Sequence, residues 1–555
     1  VQEFDYIIIG AGSAGCVLAR RLSDDPDVNV CLLEAGGSDA SPIIRMPSAF
    51  SLPMNTRRYD WGWWSEPEPG LDHRRLQCPR GRVLGGSSSI NGMVWVRGHP
   101  LDFERWAELG ATDWGWADVA PYYRKLERFK PRDGQADPRR GTNGPIGVRQ
   151  GDRANPLYDA FLAAGGECGY EVVDDLNGPR QEGVGPLDMS VADGLRCSSY
   201  RGYVAPVLDR PNLTVRTRAL VKRIDLDGGR ARGVELVDGT RITARREVLC
   251  AAGAIASPLL LMRSGIGDPA TLAEAGVTPV HTAAGVGANL MDHLEVYVQQ
   301  ACRQPVSLNA WLGLFGKARI GLRWLLKRDG LGATNHFEAG GFIRSAAGVR
   351  WPDLQFHFLP AAVRYDGKAP AVGHGFQAHV GPMQSESRGR VCITGPHVGD
   401  VPAIRFNYLE ADADREVFRR ALRLTRELFA SPAMAAFSGE ELAPGADAVD
   451  DDALDAFVRE HVESAYHPCG TCRMGSDAAA VVDPECRVRG LEGLRVIDSS
   501  VFPMIPNGNL NAPTIMLAER AADLVLGRTP LAPEALPFWT DPAWETRQRS
   551  GAALT

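Results

Sequence analysis

The stretch FDYIIIGAGSAGCVLARRLSDDPDVNVCLLEAGG, residues 4–37, constrains the fold more than any other. Residues 4–9 form a short apolar run with β-branched side chains and read as a strand; residues 14–22 have helical character, and 28–33 return to strand. Between the first two lies Gly10-x-Gly12-x-x-Gly15. In such a turn Gly10 permits the tight bend, Gly12 lets the backbone approach a pyrophosphate, and Gly15 lets helix and strand pack closely. The helix N-terminus supplies a positive end for phosphate. Glu34 stands 19 residues after Gly15 (34 − 15), where a carboxylate can accept from the hydroxyls of an adenosine ribose. The unit predicts a dinucleotide site at the edge of a parallel sheet, without separating FAD from NAD.

A chain of 555 residues is too long for one ordinary core and calls for several domains. Its net charge of −7 gives no general reason to bind nucleic acid. No run approaches the roughly 18 uninterrupted apolar residues of a membrane span. The N-terminus shows neither a basic leader nor a cleavage site, so a cytoplasmic location is expected. Eleven scattered cysteines resemble buried thiols more than a disulfide framework.

Further along, residues 81–98 (GRVLGGSSSINGMVWVRG) are too glycine-rich for a regular helix and predict a loop whose amides approach something flat or anionic. Residues 215–243 alternate and turn like a small antiparallel unit, and REVLCAAGAIASPLLLMRSGIG adds a buried strand, a small-residue turn and a helix. Residues 301–454 are rich in aromatics (Trp311, Phe315, Trp324, Phe337, Trp351, Phe356, Phe358, Tyr365) and contain an amphipathic helix at 414–430. Near the end GLRVIDSSVFP reads as a strand and APTIMLAERAADLVLG as a helix with Pro at its start and Gly at its end. The expected organisation is α/β: a discontinuous Rossmann-like cofactor domain (1–155, 196–300, 455–530), a separate α+β substrate domain (156–195, 301–454) and a proline-rich tail (531–555).

AYHPCGTCRMG, residues 465–475, leaves three chemistries open: a zinc site, a redox disulfide, or His467 acting as a base beside bystander cysteines. Zinc wants about four ligands, and no second Cys or His pair of suitable spacing accompanies Cys469 and Cys472. A redox Cys-x-x-Cys usually opens a helix, which Pro468 and Gly470 would interrupt.

Together GAGSAG…LLEAGG, GRVLGGSSSINGM, GAIASPLLLMRSGIG and HPCGTCRMG…RVIDSSVFP…NGNLNAPTIM resemble the glucose-methanol-choline (GMC) oxidoreductases over nearly the whole chain. YDWGWWSEPEPGL, NHFEAGGFIRS, QFHFLPAAVRYDG and HGFQAHVGPM bring it nearest to the choline-oxidising branch. The resemblance implies FAD-dependent alcohol oxidation, with a proton taken from the hydroxyl and hydride passed to flavin N5. Choline is the expected substrate, betaine aldehyde the product and glycine betaine synthesis the setting; an aryl or aliphatic primary alcohol is the alternative. It implies His467 as base with Asn509 beside it, and Glu338 with His357 toward the substrate. For the cofactor it implies Gly10, Gly12, Ser13, Gly15, Glu34, Ala35, Val83, Gly86, Asn91, Gly92, Met93, Val94, Val221, Asp498 and Asn511. Where some relatives link flavin through a histidine, this chain has Ile90, so non-covalent FAD is expected. No metal is expected. The expected partners are a small alcohol and an electron acceptor, a respiratory quinone or artificial acceptor before oxygen, with peripheral association at the inner face of a membrane.

Overall fold

The computed structural model describes residues 2–133, 137–363 and 373–549. In chain order its framework runs β1 (Gln2–Ile9), α1 (Ser13–Leu22), β2 (Val30–Glu34), α2 (Pro100–Glu108), β3 (Gly183–Pro186), β4 (Leu213–Thr217), β5 (Val221–Asp227), β6 (Arg230–Leu236), β7 (Arg241–Cys250) and α3 (Gly253–Arg263). It continues through β8 (Leu294–Cys302), α4 (Leu314–Lys327), β9 (Ala339–Ile343), β10 (Leu354–Leu359), β11 (Gly375–Pro382), α5 (Asp412–Ala430), β12 (Ser438–Ala443), β13 (Glu463–Ser464), β14 (Leu494–Val496) and α6 (Asn511–Val525).

The first sheet has the order β4-β2-β1-β7-β6-β5, with β14 also on β7. Strands β4, β2, β1, β7 and β14 run parallel; Ile7 of β1 faces Cys31 on one side and Val248 on the other. Such strands are covered on both faces, and Tyr6 to Ile9 are accordingly all buried. α1 lies close on β1 because Gly15 has no side chain: a Cβ there would stand 1.9 Å from the Gly10 carbonyl oxygen. α6 packs against α1, so the end of the chain completes the layer that its beginning started.

β4 departs from the antiparallel unit expected over 215–243. It is a parallel edge strand on β2, and the antiparallel unit is made by β5, β6 and the start of β7. An edge strand has one face partly open, which makes its sequence alternate as an antiparallel strand does.

The second sheet, β12-β8-β11-β10-β9-β3, is antiparallel, with β13 also on β8. Besides β3, it takes β8 from Leu294, inside the 196–300 stretch expected to serve the cofactor unit, and β13 from the 455–530 stretch. The amphipathic α5 packs on β11. From 531 to 549 the tail is docked. Glu534 pairs with Arg124, the Arg180 guanidinium lies 3.7 Å from the Trp539 ring centre, and fully buried Arg344 reaches Glu182 at 3.0 Å and Asp541 at 2.7 Å.

Candidate active site

The C-terminal ends of β1, β2 and β7 open into a cavity of about 680 Å³ that runs from Glu34 to His467. Three helix N-termini meet it, at Ser13 of α1, Gly253 of α3 and Asn511 of α6, so positive helix ends face one space. Two glycine loops form its floor and nearly touch; a Cβ on Gly86 would lie 2.7 Å from the Gly12 Cα. Toward the cavity the same surface is open. Nothing stands within 4 Å of a Cβ built at Gly92 or Gly253, and at Gly12 only the Gly86 Cα does, at 4.0 Å. Side chains there would fill the space that an extended dinucleotide needs.

Glu34 ends β2 at one extremity. Its Oε2 accepts the Ala11 N–H at 3.0 Å and Oε1 the Gly36 N–H at 2.8 Å. Burial raises its pKa to about 7 against those two donors, and the two hydroxyls of a ribose would favour the ionised form further. Asp498 holds the middle: Oδ2 accepts from the Gly253 N–H (2.8 Å) and the Ser257 hydroxyl (2.6 Å), and Oδ1 from the Ser500 N–H (2.8 Å). Ser13 Oγ donates to Asn511 Oδ1 at 2.7 Å, tying the two ends of the chain across the site. Gly10, Ala35, Asn91, Met93, Val94 and Val221 line the cavity as expected. Gly15 and Val83 do not. Gly15 serves helix packing, and Val83 is buried in a cluster with Ile90 and Tyr59. Ile90 meets the cavity with an apolar side chain and no imidazole.

At the other extremity one hydrogen-bond chain fixes the protonation of His467. The Met383 carbonyl, which can only accept, lies 3.1 Å from His293 Nε2, so that nitrogen carries the proton. Burial holds His293 neutral, its pKa lowered to about 3, which leaves its Nδ1 a bare acceptor. His467 Nδ1, 3.1 Å away, must therefore be the N–H donor. His467 is neutral as well; burial first, then His293, His357 and Arg80, push its pKa well down. Its Nε2 is then unprotonated, facing the Asn509 amide NH₂ at 3.1 Å. Asn509 is oriented in turn by Gln355, whose amide donates to Oδ1 at 3.3 Å.

The backbone is pinned as firmly. Asp292 Oδ1 accepts the His467 N–H at 2.7 Å, while Oδ2 accepts from the Tyr408 and Ser464 hydroxyls. Tyr466, just before His467, has a left-handed φ of 65°. Its N–H donates to Ser464 Oγ and its carbonyl accepts from Arg80, which offsets a strain of about 1–3 kcal/mol.

Glu338 is not where the sequence put it. Phe337 lines the cavity, and the next residue points the opposite way, as successive side chains do in extended chain. The Glu338 carboxylate accepts from Thr334 Oγ1 and the Arg153 N–H, beside Gly151. A carboxylate that does line the cavity, apart from Glu34 and Asp498 described above, is Glu295 of β8, 4% exposed. Its Oε1 lies 3.2 Å from His379 Nδ1 and its Oε2 3.7 Å from His357 Nδ1. His357 lines the cavity as expected, whereas His374 is bonded to Ser307 outside it. Of the eight aromatics singled out in 301–454, Phe337 alone of those described is at the cavity; Tyr365 lies outside the described residues. Phe50, Trp61, Trp63, Trp64 and Tyr466 supply its other aromatic surfaces. Sequence reasoning passed over His293 and Glu295. The available signal was MDHLEV: two acids and a histidine at the head of an apolar strand, where buried polar side chains need a reason.

Cys469 and Cys472 are buried free thiols. Burial and the nearby Asp292 and Asp498 carboxylates push both pKa values far up, opposite to the thiolate that a redox pair requires.

A buried neutral imidazole and a directed amide at one end of a dinucleotide-sized cleft are an arrangement suited to FAD-dependent alcohol oxidation. Two family models described as GMC oxidoreductase match residues 4–295 and 385–518, and the chain belongs to that family. It is 54% identical to an oxygen-dependent choline dehydrogenase of Photobacterium profundum, over 99% of this chain and 98% of the relative. With the enzyme of the same name from Brucella ovis it shares 53%, over 99% and 100%. Among solved structures, pyridoxine 4-oxidase from Mesorbium loti superposes with a TM-score of 0.85 at 33% identity, covering 95% of this chain and 100% of that one. A formate oxidase from Aspergillus oryzae, a protein studied for modification of its FAD, gives 0.88 at 26% identity, covering 95% and 98%. The cofactor is FAD, and the glycine cradle, Glu34 and the three helix ends fit it.

Proposed function

We propose that this protein oxidises choline to betaine aldehyde, the first step of glycine betaine synthesis. The observation that carries the reading is one cavity holding a bare imidazole nitrogen, His467 Nε2, together with a buried carboxylate, Glu295, among aromatic faces. A quaternary ammonium has no proton to donate, so only opposite charge and aromatic faces can recognise it. A neutral alcohol would leave the Glu295 charge uncompensated in a buried site, which disfavours the aryl or aliphatic alternative. The full-length relatives carry choline dehydrogenase names, which supports the same substrate.

In this reading His467 Nε2 accepts the hydroxyl proton, and its Nδ1–H stays bonded to His293 while positive charge develops on the ring. The Asn509 NH₂, aimed at the same point, donates to the alkoxide oxygen as it forms. Bound FAD supplies the hydride acceptor. Glu295 holds the ammonium head at a fixed distance from the base. Gly10, Gly12, Ser13, Glu34, Asn91, Val221, Asp498 and Asn511 form the cofactor cradle. A second small molecule takes the electrons, and peripheral contact with a membrane belongs to the same reading. Among the described residues no helix is long and apolar enough to cross one.

The test is Glu295→Gln. Breaking a buried charge pair costs a few kcal/mol, so choline binding should weaken by about a hundredfold or more. The carbon isostere with tert-butyl in place of trimethylammonium should bind nearly as before, and Glu338→Gln should spare both. Equal losses for the charged and neutral alcohols in Glu295→Gln would return the substrate to an unspecified alcohol.

A further inference from the structure

α4 (Leu314–Lys327) is built inside out. Trp324 is its one buried side chain, with its indole N–H on the Gly194 carbonyl at 2.7 Å. Phe315 is 91% exposed, Leu314 82%, Leu326 74%, Leu322 60% and Leu325 54%. At about 100° per residue these five side chains and Ala318 fall within roughly 120° of the helix circumference, on the side away from Trp324. A surface helix of a globular protein turns that stripe inward; here it faces out as one continuous patch.

The charges beside the patch are predominantly basic; the one acid next to them, Asp329, pairs with Arg323 at 2.6 Å. Residues 303–328 hold six basic side chains, Arg303, Lys317, Arg319, Arg323, Lys327 and Arg328, and no acid, in a chain whose net charge is −7. On the helix wheel Arg319 and Arg323 border the apolar arc on one side and Lys317 on the other. Among the described residues Lys317 and Arg319 pair with no carboxylate. An apolar arc flanked by cations matches acyl chains beneath anionic headgroups. An apolar protein partner would account for the leucines but not for the unpaired cations Lys317 and Arg319 on both sides of them.

We propose that α4 is a membrane-docking helix that lies in the plane of an anionic lipid surface. It gives a location to the peripheral contact named above and does not depend on choline being the substrate. Its position also matters. α4 packs on the turn Gly330–Ala333, and that turn packs on Pro47–Ala49, immediately before the cavity residue Phe50. A docked helix would therefore set the cavity near the headgroup layer.

The experiment is flotation of the full-length, FAD-loaded protein with vesicles of phosphatidylglycerol and phosphatidylethanolamine, and separately of phosphatidylcholine alone. The protein should float with the anionic vesicles and not with the zwitterionic ones. Lys317→Glu and Arg319→Glu should each reduce partitioning by at least about fivefold, the worth of one basic residue at such a surface. Phe315→Ser with Leu326→Ser should abolish flotation. Choline oxidation with a soluble dye acceptor should be unchanged in all variants, which separates loss of docking from loss of fold or of function. The proposal is overturned if the wild type does not float, if it floats equally on both compositions, or if the variants float as it does. It is likewise overturned if the wild type is a dimer that Phe315→Ser with Leu326→Ser converts to a monomer, since a second copy would then cover the patch.

Discussion

In the proposed reaction His467 is a base, useful only while its lone pair is bare, and that condition is set two residues away, at the Met383 carbonyl. The carbonyl fixes the His293 tautomer, His293 fixes that of His467, and burial keeps both rings neutral. Replacing His467 by Ala should slow anaerobic flavin reduction by roughly 10²–10⁴-fold, the usual worth of a positioned acid–base group. FAD should stay bound, because Glu34, Asp498 and the glycine loops are untouched; rapid-mixing absorbance against bound-flavin content checks both. At this scale the sequence led to the right place where identity alone decides: His467 and Asn509 do meet in the cavity, 3.1 Å apart. It failed where direction decides. Glu338 and Glu295 are both acids next to strands, and only the side-chain alternation around Phe337 and Leu294 tells which one faces the cavity.

Elements were legible when their constraint was local. β1, α1 and β2 follow from a buried run and a glycine turn, and α5 from its amphipathic period; the pairing of β4 with β2 and the placing of β8 in the second sheet are long-range choices that no local period encodes. The glycine turn gives a prediction that separates packing from binding. Gly15→Ala drives a Cβ into the Gly10 carbonyl and should lower the stability of the cofactor-free protein, whereas Gly12→Ala, with its nearest neighbour 4.0 Å away, should not. Gly12→Ala should weaken FAD binding alone, measured by thermal unfolding of apoprotein and by flavin titration. α2 yields a pH test. His99 caps it with Nδ1 accepting the Leu101 N–H at 3.1 Å, and burial lowers its pKa to about 3. Below an unfolded value of about 6.5 the unfolded chain binds the proton and the folded one does not, so stability from this group is lost as pH falls, by about 1.4 kcal/mol per unit. His99→Asn keeps a cap acceptor without the proton. Its melting temperature relative to wild type should therefore rise between pH 6.5 and pH 5.

On the scale of the whole molecule, FAD is a structural tie as well as a reagent. The cavity that fits it is lined by the first turn, the 81–94 loop, the N-terminus of α3 and the segment from Asp498 to Asn511, stretches that span most of the chain and meet at the cavity. Nothing in the glycine loops alone announces that meeting; the sheet topology, with β14 and α6 returning to β7 and α1, brings it about. A ligand that binds only the folded form at a hundred times its dissociation constant adds about 2.7 kcal/mol of stability, so FAD should raise the melting temperature of apoprotein in a concentration-dependent way. The same tie should be reversible, because the residue at the position of the linking histidine is Ile90, buried against Val83 and Tyr59, with no nucleophile to bond flavin. Acid or heat should precipitate a colourless polypeptide and leave the flavin in the supernatant. Flavin absorbance that stays with the washed pellet would show a covalent bond through another residue, and the cradle would then be an attachment site rather than a binding site.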